Sequence, residues 1–290
     1  MVKIREKTIK EYSSLISLAG GISVHLTPAR ADSAKAGVID SGIGGAMVRS
    51  ELLDKTGLGH NELISCLVGQ TIGGIPAAKT RMIFRDMVLA TLDHHPSVRT
   101  FVVACNTFAG IGADAIIRKV TAEKGITENI SIITPIGQAV ERIKEITAAH
   151  ADIPVVIMAT DATCKLRGPQ FPFSYQAVLQ RSGIDSSNPI LFQPEQALID
   201  LIQKGDEDAV GIELERIVAK DLLPMVPASN RLIIVLGCTH FHQGIEGALR
   251  SSFGRHGVEA AFINTKELVV AKTIDAIARI SSDDLPAAAH

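Results

Sequence analysis

The chain has 290 residues, of which 46% are hydrophobic and 21% are charged, and its formal net charge is −2. A balance so near neutrality argues against a basic surface for nucleic acid or an anionic membrane. Its apolar runs fall short of the roughly 18 to 20 residues that cross a bilayer. We therefore expect a soluble globular protein with neither nucleic acid nor membrane as a partner.

The first 35 residues have a mixed character. The basic start MVKIREKTIK, the weakly apolar SLISLAGGISVHL and the ARA at 29–31 resemble parts of an export signal. Glu6 and Glu11 in the basic part, and His25 with two glycines in the apolar part, argue against export. We expect residues 1–35 to form an N-terminal extension of a cytoplasmic protein, with export as the alternative.

Runs of β-branched residues alternate with helix-length stretches along the rest of the chain. The runs predict strands at 37–40, 62–69, 100–106, 131–135, 154–160 and 231–239. The intervening stretches predict helices at 46–55, 79–95, 109–125, 136–150, 195–206 and 210–226. This alternation is typical of βαβ units, so we expect an α/β fold with mainly parallel sheets flanked by helices.

Two predicted strands, in different halves of the chain, end in a cysteine followed by polar residues. These are Cys105 in ACNT and Cys238 in GCTH. The chain also reaches the length of roughly 250 to 300 residues at which a single core stops growing. We therefore expect two similar lobes that meet at a cleft, the first from 36–133 plus 247–290 and the second from 134–246.

Further polar residues stand at strand ends, which is where open parallel sheets bind ligands. In DSGIGG, Asp40 and Ser41 precede a helix, and the motif suits either a helix N-cap or an anion-binding turn. In ATDAT, Thr160 and Thr163 suit helix capping and carboxylate binding equally well. Both alternatives stay open at this point.

The four cysteines include no CxxC pair and have no nearby pattern of histidine ligands, so they predict neither a zinc site nor a disulfide framework. Cys66 lies within an apolar run and Cys164 lacks a neighbouring base, so we interpret both as packing residues. We interpret His94 and His95 as exposed residues at the C-terminus of a helix. The neighbouring sequence offers no third ligand for a metal ion. No metal is expected.

Cys105 and Cys238 differ from the other two cysteines because polar groups adjoin them. His240 follows Cys238 by two residues, and Asp40 is the best candidate partner for Cys105. Two thiols with separate proton partners suit a reaction in which one group removes a proton and another delivers one.

Four motifs in order, VIDSGIGG, VVACNTFAG, ATDAT and VLGCTHF, resemble those of the cofactor-independent aspartate/glutamate racemase superfamily, and most closely its glutamate racemase branch. The resemblance covers roughly residues 36–275. It implies two α/β lobes around a small acidic amino-acid substrate and the use of no cofactor. We also expect a homodimer.

The resemblance assigns roles to individual residues. Cys105 and Cys238 would be the two acid/base thiols, assisted by Asp40 and His240. His240 favours glutamate as substrate, because aspartate racemases typically have Glu at that position. The residues expected to hold the substrate are Ser41, Pro76, Asn106, Thr107, Thr163 and Thr239.

The sequence departs from the family around the substrate. IPAAKT at 75–80 has two alanines where the family has Tyr and Gly, GQT at 69–71 replaces Gly-Asp-Thr, and His242 replaces a usual Pro. Gln203 replaces a carboxylate that the family places near the second cysteine. The alternatives are therefore an aspartate or other racemase or isomerase of the superfamily, or a non-catalytic relative that binds an acidic ligand.

Overall fold

The structure is a computed structural model, and it describes residues 14–18, 23–27, 33–68, 72, 75–149, 153–184, 188–241 and 243–283. The ARA at 29–31, the GQT segment at 69–71 and His242 lie outside the described residues.

The first sheet has six strands in the order β1-β2-β4-β3-β5-β6. They are β1 Ser14–Ser17, β2 Ser23–Leu26, β3 Ala36–Asp40, β4 Leu63–Leu67, β5 Thr100–Val103 and β6 Ser131–Ile133. Strands β3 to β6 are parallel, whereas β1 and β2 join antiparallel at one edge. Every residue of β3, β4 and β5 is buried, as expected for parallel strands covered on both faces.

The second sheet has four parallel strands in the order β10-β9-β7-β8. They are β7 Val155–Ala159, β8 Ile190–Pro194, β9 Arg231–Gly237 and β10 Glu259–Asn264. The two sheets confirm the predicted fold class, an α/β protein with mainly parallel sheets flanked by helices.

Helices follow most of the strands. They are α1 Ile43–Thr56, α2 Ala77–His94, α3 Asn106–Gly110, α4 Ala113–Glu123, α5 Pro135–Ala149, α6 Asp161–Lys165, α7 Tyr175–Arg181, α8 Gln196–Lys204, α9 Glu207–Ile217, α10 Gln243–Arg255 and α11 Thr265–Asp283. A π turn at Val218–Leu222 and a 3-10 turn at Leu223–Met225 extend α9. Within the described ranges, none of the helices is both long and apolar enough to span a bilayer.

The N-terminal segment belongs to the first sheet, which corrects the expected boundary at residue 35. β2 pairs with β4, with Leu26 opposite Cys66. Val24 and Leu26 are buried in the core of the first lobe. The segment is incorporated because β4 would otherwise present an unpaired edge to water.

The expectation that residues 247–290 complete the first lobe is wrong for β10. This strand pairs along its whole length with β9 of the second sheet. Phe262 and Ile263 pack into hydrophobic clusters of the second lobe. Within the described part of 247–283, only α11 returns to the first lobe, where Val269 and Val270 join the cluster under β3.

The reading of His95 as an exposed residue is also wrong. His94 is exposed, and its Nδ1 lies 2.9 Å from the Ala90 carbonyl oxygen within the last turn of α2. His95 is buried, with Nε2 3.1 Å from the carbonyl oxygen of Thr27. The N-terminal segment therefore covers the end of α2.

The carboxyl ends of strands from both sheets meet in one region. Asp40 ends β3 and hydrogen-bonds to Thr239, just after β9. Thr107, just after β5, hydrogen-bonds to Thr163, just after β7. These contacts join the two lobes at the place where the sequence predicts the site.

Candidate active site

A small cavity lies between the two lobes, where these strand ends meet. It is lined by Asp40, Ser41, Ile72, Cys105, Asn106, Thr107, Thr160, Thr163, Gly237, Cys238, Thr239 and His240. Its volume is about 20 Å³. A single water needs about 10 to 15 Å³, so this is a closed arrangement with room for little more than one water.

The cavity brings together every predicted site residue except Pro76. Pro76 is the N-cap of α2 and lines two neighbouring cavities of about 290 and 390 Å³. Its carbonyl oxygen accepts from Thr80 N in the first turn, so Pro76 starts a helix beside the site. The smaller of these two cavities shares Thr107 with the thiol-lined one.

Cys105 follows β5 and is the N-cap of α3. Its Sγ lies 3.3 Å from the hydroxyl oxygen of Ser41. Burial, reinforced by the nearby charge of Asp40, raises the pKa of the Cys105 thiol to about 11. The thiol is therefore protonated at neutral pH, and forming a thiolate requires a base or a nearby positive charge.

Asp40 shares the cavity with Cys105, but its hydrogen bonds run to other groups. Oδ1 accepts from Gly42 N at 2.8 Å, and Oδ2 accepts from the Thr239 hydroxyl at 3.1 Å. Burial outweighs these bonds and raises the pKa of Asp40 to about 7. A carboxyl group with such a pKa suits general acid–base work near neutral pH.

The glycines of DSGIGG allow close packing around the site, Gly44 against the second lobe and Gly45 against its own sheet. A Cβ on Gly44 would lie 2.0 Å from Thr239 Oγ1, and a Cβ on Gly45 would lie 2.4 Å from Asp40 Cβ. Gly42 is the N-cap of α1, so neither Asp40 nor Ser41 takes that position. The prediction that the side chain of Asp40 or Ser41 caps the helix is therefore wrong. The close approach of Thr239 and Asp40 to Gly44 and Gly45 explains these glycines better than an anion-binding turn does.

Cys238 follows β9 and has a histidine as its partner. Its Sγ lies 3.3 Å from His240 Nδ1. Burial raises the pKa of the Cys238 thiol and lowers the pKa of His240 to about 4. The pair is therefore a neutral thiol facing a neutral imidazole. On the far side of the ring, His240 Nε2 lies 3.2 Å from Gln203 Oε1.

Three threonine hydroxyls form a closed group on another wall of the cavity. Thr107 lies 2.8 Å from Thr163 and 3.2 Å from Thr160, and Thr160 lies 2.9 Å from Thr163. Thr160 also caps α6, because its hydroxyl accepts from Thr163 N. Capping thus explains Thr160, while the three hydroxyls together are donors that a carboxylate can recruit.

Asn106 is held between elements of both lobes. Its Oδ1 accepts from the Tyr175 hydroxyl at 2.7 Å, and its Nδ2 donates to Thr265 Oγ1 at 3.2 Å. The side chain is therefore fixed before any ligand arrives. Sequence reasoning missed Tyr175 and Thr265 as supports of the site, because both lie far from Asn106 along the chain.

The remaining cysteines lie away from this cavity. Cys66 is buried within β4, and the Cys164 thiol lies 4.0 Å from the Ile157 carbonyl oxygen. All four cysteines are free thiols. In the part of the chain that the structure describes, no group of three or more His, Cys, Asp or Glu side chains is arranged to hold a metal ion.

Comparison with known proteins identifies relatives of this chain, although no family model matches it. A glutamate racemase from Pseudomonas syringae pv. tomato is 30% identical over 211 residues, which are 72% of this chain and 67% of that protein. The glutamate racemase of Francisella tularensis, solved with D-glutamate, has a TM-score of 0.57 at 17% identity, covering 89% of this chain and 85% of its own. The glutamate racemase of Escherichia coli, solved with L-glutamate and the activator UDP-MurNAc-Ala, has a TM-score of 0.52 at 17% identity, covering 84% and 82%. The two solved structures share the fold, and the first relative shows that the chain belongs to the glutamate racemase family.

Proposed function

We propose that the protein interconverts L- and D-glutamate without a cofactor, with Cys105 and Cys238 as its two acid/base groups. One observation carries the proposal. Two buried thiols, one from each lobe and each with its own polar partner, line a single closed cavity. The family relationship supports glutamate as the substrate.

Inversion at an α-carbon needs proton removal on one face and proton delivery on the other. A thiolate from one lobe takes the α-proton, so that a C–H bond breaks and an S–H bond forms. The thiol of the other lobe then gives its proton to the opposite face of the planar carbanion. The two sulfur atoms exchange roles in the process, and the reverse reaction or exchange with solvent restores them.

The carbanion needs stabilisation, because its charge spreads into the carboxylate. The threonine hydroxyls at 107, 163 and 239 line the cavity and can donate to that group. Such donors act strongly in a site closed to water. Holding the α-carbon between the thiols can supply roughly 7 to 11 kcal/mol of the barrier.

Thiolate formation differs between the two sides of the cavity. Cys238 can pass its proton to His240 Nδ1, which faces it directly. Cys105 has the Ser41 hydroxyl as its side-chain partner, and the Asp40 carboxyl lines the same cavity. The ammonium group of a bound amino acid would favour either thiolate through its positive charge.

A second candidate is another acidic amino acid, such as aspartate. It is favoured by the alanines of IPAAKT, because Ala77 lines the 290 Å³ cavity that adjoins the thiols at Thr107. A pocket changed beside the thiols can select a different side chain while the proton-transfer groups remain. The third candidate is a non-catalytic relative that binds an acidic ligand.

A polarimetric screen of single enantiomers tests these candidates. We expect the rotation of either enantiomer of glutamate to decay to zero with the purified protein, and to stay constant with the Cys105→Ser/Cys238→Ser double variant. Decay with aspartate alone would favour the second candidate. Thermal stabilisation by glutamate or aspartate without any decay would favour the third and would overturn the proposal.

We further propose that the protein is a cytoplasmic homodimer that supplies D-glutamate for peptidoglycan. A reducing compartment would keep its four cysteines as thiols, which the two-thiol reaction requires. Light scattering on the eluting protein measures the assembly, and a monomer mass would contradict the dimer.

A further inference from the structure

We propose that Gln203 is a positioning residue, which holds His240 in the tautomer with its proton on Nε2 and so leaves Nδ1 free to take the proton of Cys238. The inference rests on the proposed function, because the tautomer matters to the reaction only if Cys238 transfers protons.

The hydrogen bonds around the imidazole ring define this tautomer. Gln203 lies near the end of α8, and its Oε1 is 3.2 Å from His240 Nε2. An amide oxygen only accepts hydrogen bonds, so Nε2 carries the proton. Nδ1 of the neutral ring then has a free lone pair, and it lies 3.3 Å from Cys238 Sγ. The thiol donates to it.

Packing holds the ring in this orientation. His240 is buried, and the turn before α1 lies against the edge of the ring that faces Gln203. A Cβ on Gly42 would be 3.1 Å from His240 Cε1, 3.3 Å from Nε2 and 3.7 Å from Gln203 Oε1. A side chain at position 42 would therefore press on the ring edge that carries Cε1 and Nε2, and glycine leaves that edge free to meet Gln203. Gln203 is not among the residues that line the cavity with the two thiols, so it acts through His240.

The neutral charge of Gln203 also matters. Burial lowers the pKa of His240 to about 4, and the carboxylate of Asp200 on α8 opposes this shift. The other titratable groups that line the same cavity are the Cys238 thiol, the Cys105 thiol and the Asp40 carboxyl. Asp40 accepts a hydrogen bond from Thr239, the residue before His240. A carboxylate in place of Gln203 would favour the imidazolium form. The amide orients the ring and leaves it neutral, as a proton acceptor must be.

Nitrogen NMR of ¹⁵N-histidine-labelled protein tests the tautomer directly, with the His240 signals assigned by their loss in His240→Asn. We expect a protonated Nε2 and an unprotonated, hydrogen-bonded Nδ1 at neutral pH. The reverse pattern, or an imidazolium, overturns the inference. This readout requires no turnover, so it separates a failure of this inference from a failure of the proposed function.

Variants at position 203 test the effect on the reaction. Gln203→Leu should mix the tautomers and lower kcat by about 10- to 100-fold, the range seen for partners that orient metal-bound imidazoles, with KM changed less than about twofold. Gln203→Glu keeps an acceptor but raises the pKa of the ring by about 1 to 3 units, so it should recover most of kcat only at a pH above that raised pKa, where the ring is neutral. Gln180→Leu, at an exposed glutamine of α7, is the matched control and should leave both constants unchanged.

If the wild-type protein racemises glutamate, two kinetic outcomes would contradict the inference. One is an unchanged kcat in Gln203→Leu. The other is an equal loss in Gln203→Leu and Gln203→Glu, which would show that a hydrogen-bond acceptor of the same shape does not restore the function of the side chain. Melting temperatures of the variants show whether a loss of kcat reflects unfolding.

Discussion

At the scale of single residues, burial sets the charge of each group in the cavity. It raises the pKa of Cys105 to about 11 and of Asp40 to about 7, and it lowers the pKa of His240 to about 4. Every shift favours the neutral form, because charge is poorly solvated there. Both thiols are therefore protonated at neutral pH, and the neutral imidazole of His240 is the base beside Cys238.

Replacement of either thiol by a hydroxyl tests the acid/base roles. Cys105→Ser and Cys238→Ser should each lower kcat for racemisation by about 10³-fold, because a hydroxyl is a much weaker acid than a thiol. The Cys164→Ser variant is the control, since that thiol is equally buried but lies outside the cavity, and it should keep nearly full activity. Racemisation at the wild-type rate in either site variant would rule out a two-thiol mechanism.

The raised pKa of Asp40 predicts a pH dependence of stability. The folded chain raises this pKa from 3.8 to about 7, so the carboxyl's contribution to stability is complete below about pH 4 and is lost as the pH rises through about 7. Asp40→Asn is neutral throughout and lacks this loss. From about pH 4 to about pH 8, the free energy of unfolding of the variant should therefore rise relative to wild type by up to about 4 kcal/mol.

Urea unfolding of both proteins across this range gives the difference. Comparing the variant with wild type cancels the contribution of His240, which has the opposite sign because its pKa is lowered. Parallel stability curves for the two proteins would show that Asp40 titrates normally in the folded chain.

At the scale of secondary-structure elements, the approach of α1 to the second lobe shapes the site. Gly44 sits in the first turn of α1, opposite Thr239. A methyl group there would overlap the Thr239 side chain and lie 3.1 Å from its backbone carbonyl carbon. Thr239 also donates to Asp40, so a shift of α1 would disturb both lobes' contributions to the site.

Gly44→Ala should therefore impair catalysis although alanine suits a helix. We expect kcat/KM to fall by about 100-fold or more, in line with the cost of small displacements of catalytic groups. Gly247→Ala, in α10 with open space around it, is the control and should stabilise the fold by about 1 kcal/mol with activity unchanged. Activity assays and melting curves measure both effects, and a fully active Gly44→Ala would contradict the packing argument.

The elements also show what the sequence could predict. The strands that end at Asp40, Cys105 and Cys238 were recognisable, because fully buried parallel strands are uniformly apolar and polar residues mark their ends. β2 and β10 were not assigned to their sheets, since pairing partners far along the chain leave no local signal. Pro76, a predicted substrate-binding residue, lines a cavity that adjoins the thiol-lined one at Thr107. Its motif is local, whereas its position beside the cavity depends on where α2 packs.

At the scale of the whole molecule, the lobes meet around a cavity too small for an amino acid of the size of glutamate. We therefore expect the lobes to separate when substrate enters. Arg81 of α2 links the end of α3 to the loop between α6 and α7, because its Nε donates to the Ile111 carbonyl oxygen and its Nη2 donates to the Gln170 carbonyl oxygen. The guanidinium also lies 5.4 Å from the centre of the Phe171 ring.

Arg81→Met should loosen the closed state, because it removes both hydrogen bonds and keeps an apolar side chain. Losing about 1 kcal/mol would raise the open population roughly fivefold. Hydrogen-exchange mass spectrometry should then show faster exchange in peptides covering 105–111 and 160–171. Arg85→Met is the control, because Arg85 lies on the same helix as Arg81 and forms a surface ion pair with Glu123 of α4. Equal changes in both variants would mean that Arg81 does not hold the cleft.

The most direct test of the two-thiol account follows single enantiomers of glutamate in deuterated water, by polarimetry and proton NMR together. Starting from L-glutamate, we predict loss of optical rotation, with deuterium at the α-carbon of the D-product from the first turnovers while the remaining L-substrate keeps its proton. This pattern follows because the thiol that delivers the proton has exchanged with solvent and differs from the group that removed it. Early deuterium in both enantiomers would indicate a single acid/base group, and the absence of exchange with any acidic amino acid would contradict racemase activity altogether.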